Sequence, residues 1–177
     1  MHALIIVDMQ QASIANSNKY DTEGVVSRIN QLSQQVRAHQ GLVIFIAHDG
    51  EENEGLVPHT DGWQILDSLT MKENDIVIRK KANDAFYQTT LADTLKKHDI
   101  SKLLICGWAT DFCVDSTLKS ALNRNYQVTA VADCHTVSDR ENISALQVIN
   151  YHNWLWSNML PTQSSITVLK STDITFK

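Results

Sequence analysis

Three side chains with complementary chemistry stand near the ends of apolar, β-rich runs. Asp8 follows residues 3–7, Lys80 follows residues 75–79, and Cys113 lies shortly after residues 102–106. Open parallel sheets bind ligands beyond the carboxyl ends of their strands, so groups far apart in sequence can converge there. A carboxylate to carry a proton, an ammonium to hold it and a thiol to attack are the parts of nucleophilic acyl chemistry. Each residue also has an ordinary reading. An Asp after a strand is a turn former or cap, a strand-end Lys is solvated, and a lone Cys opening an apolar helix is core packing. Two points single out Cys113. It opens a helical stretch, where unpaired N–H groups and the helix dipole favour thiolate, and a neighbouring Lys80 ammonium would add to that. Cys106 and Cys134 lack this context and read as buried strand-end thiols.

The elements that must position these groups follow from periodicity. Short apolar runs predict strands at 3–7, 42–47, 75–79, 102–106, 127–132 and 165–169. Val25, Val26, Ile29, Leu32 and Val36 recur at helical spacing and predict a helix over 22–40, with Gly41 as its C-cap glycine. Further helices are expected at 64–69, 89–98, 112–124 and 139–159, the last with Asp139 as N-cap. Residues 48–62 read as a polar loop. Strands apolar on both faces that alternate with helices imply a doubly wound, Rossmann-like α/β fold. Its core is a six-stranded parallel sheet with helices on both faces.

Bulk properties narrow the partners. The 177 residues suit a single domain spanning 1–177. A formal charge of −5 and the lack of any Lys/Arg run argue against nucleic acid and for a small-molecule substrate. The first apolar run ends at Asp8, far short of a signal sequence or membrane span, so no membrane partner and a cytoplasmic location are expected. Three cysteines without a CxxC pair do not make a disulfide framework. No G-x-G-x-x-G follows the first strand, which removes the dinucleotide-binding reading. Trp154, Leu155, Trp156, Met159 and Leu160 give the final helix more apolar bulk than one face needs, which predicts a homodimer or homotetramer.

Three segments resemble the isochorismatase-like cysteine hydrolases. Ala3-Leu-Ile-Ile-Val-Asp-Met-Gln10 is similar to their opening strand, and Lys80-Lys-Ala-Asn-Asp-Ala-Phe86 to their lysine segment, in a frame that selects Lys80 over Lys81. Gly107-Trp-Ala-Thr-Asp-Phe-Cys-Val114, with Thr117 and Ala121, is similar to the nucleophile segment, and Asp133 matches the acid that closes the next strand. The resemblance implies hydrolysis of an amide-like carbon–nitrogen bond, with Asp8, Lys80 and Cys113 as catalytic residues and Ala109 and Cys113 N–H groups as oxyanion donors. It also implies a cis peptide between Trp108 and Ala109. Phe86, Trp108 and Phe112 are apolar candidates for pocket walls. Nicotinamidases of this family hold a divalent metal with Asp and His residues after the second strand. Here His48-Asp-Gly-Glu-Glu-Asn-Glu-Gly-Leu-Val-Pro-His59 lacks the compact Asp-x-His spacing, so no metal or other cofactor is expected. The metal-free branch includes streptothricin-type and carbamoyl-amide hydrolases. Two alternatives stay open: a vinyl-ether-cleaving isochorismatase in which Cys113 is incidental, and a catalytically silent binding module.

Overall fold

The computed structural model describes residues 1–15, 19–161 and 163–176. Its centre is a six-stranded, all-parallel sheet: β1 (His2–Val7), β2 (Leu42–His48), β3 (Ile76–Lys80), β4 (Lys102–Trp108), β5 (Gln127–Thr136) and β6 (Ile166–Leu169), in the order β3-β2-β1-β4-β5-β6. The α/β class, the strand number and the parallel pairing are those expected from the sequence. The strand order reverses between β1 and β4, which makes their carboxyl ends the switch point where ligands bind in such sheets.

Alternation along each strand feeds two cores. Leu4, Ile6, Val43, Phe45 and Leu104 point to the face covered by α2 (Thr22–Ala38), through Val25, Ile29, Leu32 and Val36. Ala3, Ile5, Val7, Ile44 and Ile46 point to the other face. There they meet Leu91 and Leu95 of α3 (Leu91–Lys97), Leu118 and Ala121 of α4 (Asp115–Asn123), and Trp156 of α5 (Ala145–Ser157). Each fully buried Leu or Ile contributes about 1.5–3 kcal/mol, so the two layers fix the strand ends that carry the site.

Local structure departs from expectation at several places. The end of α2 is turned by Gln40, in the left-handed region at φ 59°, and Gly41 donates its N–H to Val36 O at 2.8 Å. Gly41 is needed for clearance instead, since a Cβ there would press on Val36 and the His2 carbonyl. Residues 64–69 are not helical. Ile65 bridges to Gln10 and Leu66 N–H donates to Met9 O at 3.0 Å, so these apolar residues anchor turns. A short helix α1 (Gln11–Ala15) stands where none was expected. The long final helix begins at Ala145, capped by Ser144 in a capping box with Gln147. Asp139 lies before it, with its carboxylate accepting from Ala145 N–H at 2.7 Å. No described helix is long and apolar enough to cross a membrane.

Candidate active site

Asp8, Lys80 and Cys113 meet at the switch point. β1 and β4 are direct neighbours, so the residue after β1 faces the turn after β4. Asp8 leaves the strand in the left-handed region at φ 49°, an uncommon conformation that Asp tolerates better than most residues. Its N–H donates to Ile46 O at 3.0 Å, which anchors the turn on β2. Gly107, at the end of β4, has φ 117°, and any Cβ there would collide with the Val7 backbone. Glycine therefore lets β4 pass close to the end of β1. Lys80 ends β3 and reaches past β2 into the same space.

The chemistry of the cluster is explicit. Lys80 Nζ lies 2.6 Å from Asp8 Oδ2, and the two side chains are 0% and 3% exposed. The same nitrogen donates to Cys113 Sγ at 3.3 Å and to Ala82 O at 2.9 Å. Asp8 Oδ1 is buried and takes no hydrogen bond of its own. Burial raises the Asp8 pKa, an effect that the Lys80 ammonium and the nearby Cys113 thiol only partly offset. Cys113 is pushed up to about 12, first by burial and then by the Asp8 charge, with Lys80 opposing both. The pull toward thiolate expected from a helix start is outweighed by burial and the Asp8 charge. The helical stretch begins earlier, as a π-type turn over Thr110–Val114, which places Cys113 three residues inside it. The dominant local field is Asp8. The cluster thus brings a thiol and a buried carboxylate to one ammonium.

Neighbouring contacts lock the arrangement. Thr117 Oγ1 accepts from Ala85 N–H at 3.1 Å, tying the segment after Lys80 to α4. Asn83 Oδ1 stands 3.5 Å from Cys113 Sγ. Arg140 grips Asp111 with two bonds of 2.8 Å each and lies over the Phe112 ring. The Trp108–Ala109 peptide is cis. The three apolar candidates part company. Phe112 is 51% exposed beside Cys113, and Trp108 is half-buried under the Lys19 ammonium. Phe86 packs in the core against Tyr126, with Arg124 over its ring.

The loop after β2 is also ordered around the site. Gln10, fully buried, accepts from His48 N–H at 2.8 Å and donates to the His48 and Trp63 carbonyls. Asp49 is occupied by Arg79 and by Trp63 Nε1, at 3.0 and 2.9 Å. A cavity of about 560 Å³ opens there, lined by His48, Glu51, Glu54, Arg79 and Lys81 among others. Among the described residues no three His, Cys, Asp or Glu side chains gather as a metal site requires. His48 was missed as a site residue. It pairs in register with Lys80, and burial and that charge lower its pKa, so it is a neutral imidazole at the edge of the cluster. The only sequence signal was its place at the end of an apolar run, which Asp8 and Lys80 share.

The family model for the isochorismatase domain matches residues 2–153. The chain belongs to the isochorismatase family. It is 31% identical over 140 residues to a streptothricin hydrolase of Streptomyces noursei, which covers 78% of this chain and 56% of that protein. It thus spans about half the length of the streptothricin hydrolases it matches. A ureidoacrylate amidohydrolase of Klebsiella pneumoniae is 27% identical over 161 residues, covering 70% of this chain and 68% of the relative. A crystal structure of an isochorismatase family protein superposes with a TM-score of 0.86 at 30% identity, over 96% of this chain and 98% of the other.

Proposed function

We propose that this chain hydrolyses a carbon–nitrogen amide bond of a small molecule through a Cys113 thioester. The observation that carries the reading is the buried Lys80–Asp8 pair 3.3 Å from Cys113 Sγ at the switch point of the sheet. The thiol passes its proton to Asp8 as sulfur attacks the carbonyl carbon. Lys80 keeps the carboxylate oriented and balances the charge. The tetrahedral oxyanion is taken up by the backbone N–H groups of Ala109 and Cys113. Asp8 then protonates the departing nitrogen, the C–N bond breaks, and water, deprotonated by Asp8, cleaves the thioester. A carboxyl whose pKa is raised by burial suits this double duty, because it accepts and returns a proton readily. The likeness to a protein named as an amidohydrolase supports the substrate class. Residues of the cluster supply every step, and no cofactor enters.

The chain also forms a homodimer or homotetramer in this reading. Trp156 is fully buried, but Tyr151 and Trp154 on α5 and Leu160 just beyond it stand exposed, apolar surface that a subunit contact would cover. The function is tested by screening linear amides, ureides and lactams for ammonia or amine release. Turnover that Cys113→Ala abolishes is expected. Amine release that survives in Cys113→Ala would overturn the thioester and leave a water activated by Asp8 as the attacking group.

A further inference from the structure

One buried titratable side chain plays no part in that mechanism. His135, near the end of β5, is 2% exposed and makes a hydrogen bond through each ring nitrogen. Asn153 Nδ2 donates to Ala132 O at 3.0 Å, so the Asn153 atom facing the ring is its carbonyl oxygen. That oxygen lies 3.1 Å from His135 Nε2, which must therefore carry the proton. Burial pushes the His135 pKa down to about 4, so the ring is neutral at pH 7 and Nδ1 holds a lone pair. Thr110 Oγ1, 2.9 Å from Nδ1, is then the donor. The chain of bonds runs from the β5 backbone through Asn153 on α5 and His135 to Thr110, the first residue of the nucleophile turn. Trp156 packs edge-on against the ring at 5.0 Å, which fixes its plane.

We propose that His135 is a positioning residue that sets the nucleophile turn for acyl transfer by holding the Thr110 hydroxyl. Thr110 is fully buried and stands between Ala109 and Cys113. The turn's carbonyls are committed inward: Ala109 O accepts from Phe112 and Val114 N–H, and Thr110 O from Asp115 N–H. A threonine hydroxyl left free in a first turn competes for nearby backbone N–H groups. Bound to His135, it cannot swing to the Cys113 N–H, which the proposed mechanism assigns to the oxyanion. The sequence distances explain why this was invisible in the sequence: the two partners of His135 lie 25 and 18 residues away on other elements.

The inference rests on the thioester reading, and the test separates the two. The intact protein is assayed with p-nitrophenyl acetate and, separately, with iodoacetamide. In the first reaction Cys113 Sγ attacks the ester carbonyl, the C–O bond breaks and p-nitrophenolate leaves, through a tetrahedral oxyanion. Alkylation by iodoacetamide displaces iodide from carbon and passes through none. In His135→Asn the amide oxygen lies near the Nδ1 position and keeps an acceptor for Thr110, whereas in His135→Gln the amide moves to the Nε2 position and Thr110 loses it. Since one oxyanion donor is worth about 10²–10³ in rate, His135→Gln and Thr110→Val should slow acylation at least ~30-fold while alkylation changes less than ~3-fold. His135→Asn and Thr110→Ser should retain acylation within ~5-fold of the native rate, a margin set by the much larger effect of a lost donor. Equal losses in both reactions, or His135→Asn falling as far as His135→Gln, would overturn the proposal. If Cys113→Ala still acylates at the native rate, the thioester reading fails and takes this inference with it. If Cys113→Ala is inert and His135→Gln is normal, only the inference fails.

Discussion

Replacing Asp8 by Asn gives the sharpest test of the charge arrangement, because it should move two readouts in opposite directions. The Lys80 nitrogen lies 2.6 Å from Asp8 Oδ2 and 3.3 Å from Cys113 Sγ. At an effective dielectric of about 20, unit charges 3.3 Å apart attract by about 5 kcal/mol. In the native protein the thiolate cannot draw on that attraction in full, because the Asp8 carboxylate already neutralises the ammonium and itself repels a second anion. Asn keeps the shape and removes the charge, so sulfur becomes the one anionic partner left for Lys80 within the trio. Burial still opposes ionisation. With each ~1.4 kcal/mol worth tenfold in thiolate population, a gain of at least ~10-fold in the iodoacetamide rate at pH 8 is expected. Amide turnover should meanwhile be lost, since the proton carrier is gone. Intact mass of time-quenched samples gives the alkylation rate directly. An unchanged or slower rate would show that Asp8 does not control the sulfur, and the reasoning from burial and distance would collapse.

Cys113→Ser should be as inactive as Cys113→Ala, since a hydroxyl is far less acidic than a thiol, whereas Cys106→Ala and Cys134→Ala should keep most turnover; amine release measures all four. Exhaustive chelation should leave turnover unchanged, and loss of activity restored by Zn²⁺, Mn²⁺ or Fe²⁺ would contradict the cofactor-free reading. His135 has a folded pKa of about 4 against 6.5 unfolded, so the unfolded chain binds the extra proton between these values. Its contribution is complete above pH 6.5 and lost as pH falls toward 4, so urea titrations should show the native protein losing about 3 kcal/mol more than His135→Asn over that window. Parallel pH profiles for the two would refute it. Light scattering should report a mass that is a multiple of 19.9 kDa, and a monomer at micromolar concentration would exclude the oligomer.

What could be read in the sequence was whatever depends on local pattern. Buried strands announce themselves by unbroken apolar runs, and Asp8, Lys80 and Cys113 were recognisable because each breaks or follows such a run at a strand end. Features set by contacts between distant segments were not legible. Residues 64–69 have the composition of a short helix, yet Ile65 and Leu66 are held by Gln10 and Met9, which no local window contains. Residues 139–144 extend the helical pattern but fold into a turn closed by Arg140 and Ile143, because Ser144 and Gln147 supply a better cap. The protonation of Cys113 is set by such contacts too. Position near a helix start suggested thiolate, but the degree of burial and the proximity of Asp8, both tertiary quantities, decide otherwise.

That protonated resting state bears on how the protein survives its surroundings. Burial and the Asp8 charge keep Cys113 almost wholly as the thiol at pH 7. Peroxides and stray electrophiles attack thiolates, so a cysteine held as the thiol reacts with them slowly. In the proposed thioester mechanism, a carbonyl held against the cluster meets an active sulfur because proton loss and bond formation proceed together. Under that mechanism the arrangement gives up standing reactivity in exchange for a sulfur less open to oxidation than a permanently ionised cysteine.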